Sequence, residues 1–118
     1  MAASTEPRSG LSFGWTLGEN NWHTGMDANL LSIGRFAFHL SVKDRNLATP
    51  PGSPTAGDRY IVAASPTGAW AGHAGKVAIW SGTAWVMGVP RIGWVAYIED
   101  EEVLTAYKAT GWSAGLAI

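Results

Sequence analysis

GDRYIVAASPTGAWAGHAGKVAIWSGTAWVMGVPRIGWVAYIED, residues 57–100, is the stretch whose reading decides the fold. It carries four of the chain's seven tryptophans, Trp70, Trp80, Trp85 and Trp94, with glycines and β-branched residues between them. β-Branched and aromatic side chains suit a pleated, half-buried surface, and glycine-bearing turns punctuate short strands. Residues 59–64 (RYIVAA) read as a first strand, with turns at 65–68 (SPTG) and 72–75 (GHAG). Residues 76–80 (KVAIW) and 84–89 (AWVMGV) read as a hairpin through Ser81, Gly82 and Thr83. Pro90 ends that ladder, because proline has no N–H to contribute. Residues 93–98 (GWVAYI) form a further strand and 99–102 (EDEE) an acidic turn. A last hairpin starts at 103–107 (VLTAY) and is closed by Trp112.

The region repeats itself weakly. Residues 77–85 (VAIWSGTAW) align without gaps on 104–112 (LTAYKATGW). In both, an aromatic residue precedes a short turn and a tryptophan follows it. Cross-strand aromatic pairs each stabilise a hairpin by roughly 0.5–1 kcal/mol, so the repeat has a structural reason. It predicts a meander of similar hairpins around an aromatic core.

Upstream, residues 43–57 (KDRNLATPPGSPTAG) form a stiff connector, because Pro50, Pro51 and Pro54 forbid helix. Before it, the spacing predicts a helix over residues 26–42. Thr24 and Asp27 resemble a capping box, with Asp in place of Glu. Met26, Leu30, Ile33, Ala37 and Leu40 recur at steps of four, three, four and three, the seam of a helix that packs on other helices. Leu31, Phe36 and Phe38 widen the apolar surface, and His39 is placed to cap the C-terminal end of the helix. A helix apolar on two sides in so small a domain points to self-association. Gly34, which costs about 1 kcal/mol relative to Ala in mid-helix, fits a close approach between helices. Residues 1–10 (MAASTEPRSG) are a polar arm, and Phe13 and Trp15 in residues 11–17 (LSFGWTL) form an extended aromatic anchor. Residues 18–25 (GENNWHTG) are a loop by composition.

The 118 residues make one small domain, and 47% apolar residues are enough for a core. Only 14% are charged, which favours a chain that hides part of its surface in an assembly. A net charge of −1 leaves no electrostatic footprint for nucleic acid. No cationic amphipathic helix, secretory leader or membrane-length apolar run is present, so membrane insertion is not expected. With no cysteine, disulfides and thiolate metal sites are excluded.

Motifs for chemistry are sparse. His23, His39 and His73 lie in unlike contexts, with no ligand spacing for a metal. The Glu99–Asp100–Glu101–Glu102 run reads as a solvated turn rather than a cation site. Ser65 and Ser81 lack a nucleophile elbow, and no glycine-rich bend continues into a phosphate loop. Asp58 and Arg59 read as a structural pair that locks the turn before the first strand. No catalytic residue, cofactor or metal is expected. Aromatic rings in loops can stack on sugars, which makes Trp22, Trp70 and Trp112 the candidate glycan contacts, although for each of them packing in the core or an interface is the stronger reading.

The run from Pro50-Pro51 through GDRYIVAASPTGAWAGHAGKVAIWSGTAWV to Pro90, Gly93-Trp94, Tyr97, Asp100-Glu101 and Tyr107 resembles a phage-type domain, formerly of unknown function. That domain occurs in phage and prophage tail proteins and in the head spikes of gene transfer agents. GAWAGHAGKVAIW is its most specific part, and GENNWHTGMDANL with DRNLATPP is similar to the helix that precedes the β unit there. The resemblance covers residues 18–112. It implies a virion protein, made in the host cytoplasm, that forms a homotrimer at a fibre or spike. In longer relatives a receptor-binding or enzymatic part follows the domain. Nothing follows Ile118 here, so no depolymerase activity is expected.

The expected fold is α+β: one N-terminal helix, then an antiparallel β meander of short Trp-rich hairpins, trimeric. Residues 1–17 would be a docking arm, with Phe13 and Trp15 set into baseplate or neck proteins. Residues 18–56 would hold the oligomerisation helix and the connector, and 57–118 the β domain. The expected function is a short tail-fibre subunit that attaches to a host glycan or lipopolysaccharide. A head spike or capsid decoration subunit and a free carbohydrate-binding module are the other readings.

Overall fold

The computed structural model describes residues 4–37 and 39–117. The chain divides into two compact units, Met1–Phe38 and His39–Ile118.

In the first unit, β1 (Ser4–Thr5) pairs antiparallel with β2 (Ser12–Phe13). The Glu6 carboxylate organises the turn between them by accepting the backbone N–H groups of Arg8 and Ser9. Helix α1 (Trp22–Ser32) follows and runs on as a single π-helical turn, Ile33–Ala37. Asn29 joins helix to hairpin: its side-chain amide accepts the Ser12 N–H at 2.9 Å and donates to the Ser12 carbonyl at 2.8 Å. It thus satisfies the edge of β2 as a neighbouring strand would. Gly25 faces Trp15 so closely that a Cβ there would run into the indole ring.

The helix differs from its sequence reading at both ends. It begins at Trp22, where Asn21 turns the chain with φ 64° and gives no side-chain cap. Thr24 lies inside the helix and its N–H bonds the Asn21 carbonyl, so the Thr24–Asp27 capping box is not formed. The helical turns end at Ala37 rather than continuing to Val42. Residues 41–42 are claimed instead by strand pairing in the second unit, a long-range interaction that overrides local helical spacing. His39 sits beyond the helix in a left-handed bend, φ 51°, and does not occupy its last turn. Phe38 and residues 1–3 of the arm lie outside the described residues.

The second unit is built on short strands. β3 (Ser41–Val42) comes first. β4 (Arg59–Ile61), β5 (Val77–Trp80) and β6 (Trp85–Gly88) form an antiparallel sheet in that order. β7 (Val95–Ile98), β8 (Val103–Lys108), β9 (Gly111–Trp112) and β10 (Leu116–Ala117) complete a second sheet, in which β10, β8, β7 and β3 are neighbours and β9 also pairs with β8. The pairing is not wholly antiparallel as expected, because β3 runs parallel to β7. The protein is therefore mixed α+β, with one helix and mostly antiparallel strands in several sheets.

β3 and the connector behind it link the two sheets of this unit. Tyr97 and Glu99 donate to the carbonyls of Leu40 and Val42 on one side. On the other, Lys43 donates to the Arg59 carbonyl and Ile61 to that of Asp44. The connector continues as ordered chain, with its Leu47 and Ala48 carbonyls taken by Ala63 and Thr67. Asp58 locks the turn before β4 by accepting the Thr55 N–H and pairing with Lys43 at 3.0 Å.

The aromatic core sits on one face of β4–β5–β6. Register places Tyr60 opposite Ala78, Ala78 opposite Met87, and Trp80 opposite Trp85. A 3-10 turn, Gly68–Trp70, drops the Trp70 ring onto this face, where its centroid lies 5.2 Å from that of Trp85 and 5.7 Å from that of Tyr60. Leu47 packs against the same cluster. The opposite face contributes Ile61, Val77 and Ile79 to the buried set, and the other sheet contributes Val42, Ala96 and Ile98.

Candidate functional site

The tryptophans part company by environment. Trp70 is 0% exposed, so it is no glycan contact: the Gly-rich turn that suggested a surface loop folds its ring inward. Trp112 is half-buried; its indole N–H donates to the Gly75 carbonyl at 2.8 Å, and its ring meets Tyr107 edge-on at 5.1 Å. Trp22 is the one of the three that offers open surface, at 53% exposure. It stands at the start of α1 beside an open concavity of about 540 Å³ lined by Gly18, Glu19, Asn20, Asn21, Trp22 and His23. The His23 ring lies at right angles to Trp22, with centroids 6.2 Å apart. An exposed indole with amides and a carboxylate beside it is the chemistry that recognises a sugar: an apolar ring face flanked by hydroxyls.

The two aromatic residues assigned to docking also separate. Phe13 is exposed, whereas the Trp15 ring is laid on Gly25 of its own helix. Of the five seam residues, Leu30 and Ile33 are exposed large apolar side chains, Ala37 is exposed and Met26 is half-buried. Leu40 does not belong to the seam. It lies beyond the helix and is buried, with its carbonyl accepting the Tyr97 N–H. No described residue of the first unit is buried.

Among the described residues, no group of three or more His, Asp or Glu side chains gathers to hold a metal. The acidic turn is divided between partners: Glu99 accepts the Ser41 hydroxyl at 2.6 Å, and Glu101 takes both Arg45 and Asn46. His73 contacts the Lys76 ammonium through Nδ1 at 3.0 Å. No helix among the described residues is long and apolar enough to cross a membrane.

Two features escaped the sequence reading. Arg45 is a clamp on the second sheet. The other is an apolar row on the outside of that sheet. In strands, alternate residues face opposite sides. Ala96, Ile98 and Thr105 are buried on one side, while Val95, Leu104 and Leu116 are exposed on the other. Residues 93–98 are legible as a strand, but which of its sides meets solvent is set by the pairing with β8 and β3.

A family model described as protein of unknown function (DUF2793) matches residues 27–113, from the middle of α1 to the end of β9. Neither the curated proteins nor the solved structures contain a match. Since the matched segment covers well over half of the 118 residues, the chain belongs to the DUF2793 family, whose function is unknown.

Proposed function

We propose that this protein is a structural virion subunit of a bacteriophage, a short tail-fibre component that assembles as a homotrimer and attaches the particle to a host-surface glycan or lipopolysaccharide. The observation that carries the assembly is the helical unit. It keeps no described side chain buried and, apart from Trp22, leaves Leu17, Leu30, Leu31 and Ile33 exposed. Exposed apolar side chains concentrated in one small unit mark an interaction surface. The low charged fraction of 14% agrees with this. The virion setting and the number three come from the resemblance of the GAWAGHAGKVAIW region to phage tail and gene-transfer-agent spike domains. The second unit, with its aromatic core, supplies a rigid body rather than a reaction centre. We assign it no enzymatic role.

Trp22 and its concavity favour a glycan as the attachment target over a protein receptor, and they keep the free carbohydrate-binding module as the second reading. Exposed Phe13 remains the residue for docking to baseplate or neck proteins, or to the capsid if the subunit is a head spike. Labelling an affinity-tagged copy in purified particles and imaging them tests the assignment. Label at the tail supports the fibre, and label on the head supports the spike. Its absence from the particles, together with glycan binding by the free protein, leaves the module.

A further inference from the structure

We propose that copies of this chain join heterologously, with the outer face of helix α1 of one copy seated on the outer face of the β10–β8–β7 sheet of the next. This rests on the homotrimer reading above and specifies its interface. The helix has two sides. Gly25 and Asn29, one turn apart, face the unit's own hairpin through Trp15 and Ser12. At 100° per residue, Asp27, Leu30 and Leu31 lie on the opposite side, in the i, i+3, i+4 pattern of a packing face, and Gly34 follows them. Leu30 and Leu31 are 60% and 52% exposed. A Cβ built at Gly34 would meet no described residue within 4 Å.

The receiving face is fixed by strand register. Tyr97 of β7 pairs with Leu104 of β8, which pairs with Leu116 of β10, and Val95 pairs with Ala106. Paired residues share a face, so these side chains form one apolar surface across three strands, on the side away from buried Ala96, Ile98 and Thr105. A helix side that presents Leu30 and Leu31 and a sheet with one apolar face can join as an ordinary α/β layer does, and both are present once in every copy.

Charge sets the direction. Asp27 precedes the helical stripe and Arg35 follows it. Lys108 ends the same side of β8, and the Glu99 carboxylate stands at the other end of the face, on Ser41. Among the described residues Asp27, Arg35 and Lys108 form no ion pair. Seating Asp27 near Lys108 and Arg35 near Glu99 places opposite charges at both ends of the apolar contact. A contact that uses two different patches is head-to-tail rather than isologous; it closes into a ring when the rotation between copies returns the last copy to the first, and closure at three is what the homotrimer reading requires.

The absence of cysteine makes the test direct. Copies carrying Leu30→Cys are mixed with copies carrying Leu104→Cys and oxidised at air. The proposal expects covalent dimers from the mixture and none from Leu30→Cys alone. It also expects Asp27→Lys and Lys108→Glu each to raise the midpoint concentration of assembly by about twofold to fivefold, with recovery in the double variant. Cross-linking of Leu30→Cys with itself, together with an intact trimer for Leu104→Asp, would overturn this interface in favour of a helix–helix seam while the homotrimer stood. A monomeric wild-type chain, with no cross-linking in any combination of the cysteine variants, would remove both. Because the substituted residues are exposed, far-UV circular dichroism of each variant should match wild type. Should Leu104→Asp alone lose structure, the cross-linking of the folded cysteine variants decides.

Discussion

Arg45 and Glu101 meet side by side, with Nε 3.0 Å from Oε2 and Nη2 2.8 Å from Oε1. The same guanidinium donates to the carbonyls of Ser113 at 2.8 Å and Ala114 at 2.6 Å. Those carbonyls belong to a break in the strand that runs beside β8. Tyr107 pairs with Trp112, but Leu104 pairs with Leu116, so one extra residue is accommodated between β9 and β10. Such a bulge leaves backbone groups without ladder partners. Arg45 supplies the donors, and buried Thr105 donates its hydroxyl to the Ser113 carbonyl at 2.7 Å. One side chain thus ties the connector, the acidic turn and the bulge together.

Replacing Arg45 with Ala should lower stability by about 1–3 kcal/mol, since charge-assisted hydrogen bonds are lost and the Ala114 carbonyl loses its donor, while Ser113 keeps the Thr105 hydroxyl. Glu101→Gln should cost less, because it spares the contacts to the bulge. Urea unfolding followed by tryptophan fluorescence measures both. Equal losses would mean that the ion pair, not the bulge contact, carries the effect.

The carboxylates give a pH dependence of definite sign. Hydrogen bonding from Arg45 holds Glu101 below the ordinary carboxylate range. The Thr55 N–H, with Lys43 acting in the same direction, lowers Asp58. A group whose folded value is depressed contributes its stability above its unfolded value and loses it as pH falls through the folded one. Stability should therefore be level at neutral pH and decline below about pH 4. Lys43 is raised, chiefly by its bond to Asp58, so its share persists through neutral pH and fades only in strong alkali. In thermal scans across pH, the Glu101→Gln and Asp58→Asn double variant should show a shallower acid decline than wild type.

Trp70 and Trp22 should respond in opposite ways. Trp70→Ala opens a cavity in the ring cluster and should cost about 3–5 kcal/mol. Trp70→Phe should cost less, because the buried indole nitrogen it removes has no hydrogen-bond partner among the described residues. Trp22→Ala should leave stability within about 0.5 kcal/mol of wild type, as expected for an exposed position. On a glycan array, however, it should lose whatever binding the wild type shows. Unchanged binding would move the attachment site away from the concavity.

What could be read from sequence was local. The two aligned stretches, 77–85 and 104–112, hold equivalent ring pairs across equivalent turns: Trp80 with Trp85 at 5.2 Å and Tyr107 with Trp112 at 5.1 Å. Short loops fix the register of such hairpins, so sequence spacing carries the information. The helix was legible as an element but not in its bounds, because Ser41 and Val42 are drawn away by Tyr97 and Ile98, far along the chain. The Arg45 clamp was invisible for the same reason, its partners lying 56, 68 and 69 residues away. Between its glycine-bearing bends, Trp70 is compatible in sequence with either a surface loop or the core. Its fate depended on a ring-sized space left by the small Ala78 between Tyr60 and Met87, which only the strand register reveals.

The assembly state is the most direct test of the account. Size-exclusion chromatography with multi-angle light scattering on the purified chain should return three times the 12.5 kDa of a single copy. Leu30→Asp should reduce that mass to one copy without loss of secondary structure. A wild-type mass of one copy at every concentration tested would contradict the account, because the exposed apolar side chains of α1 would then face water by default.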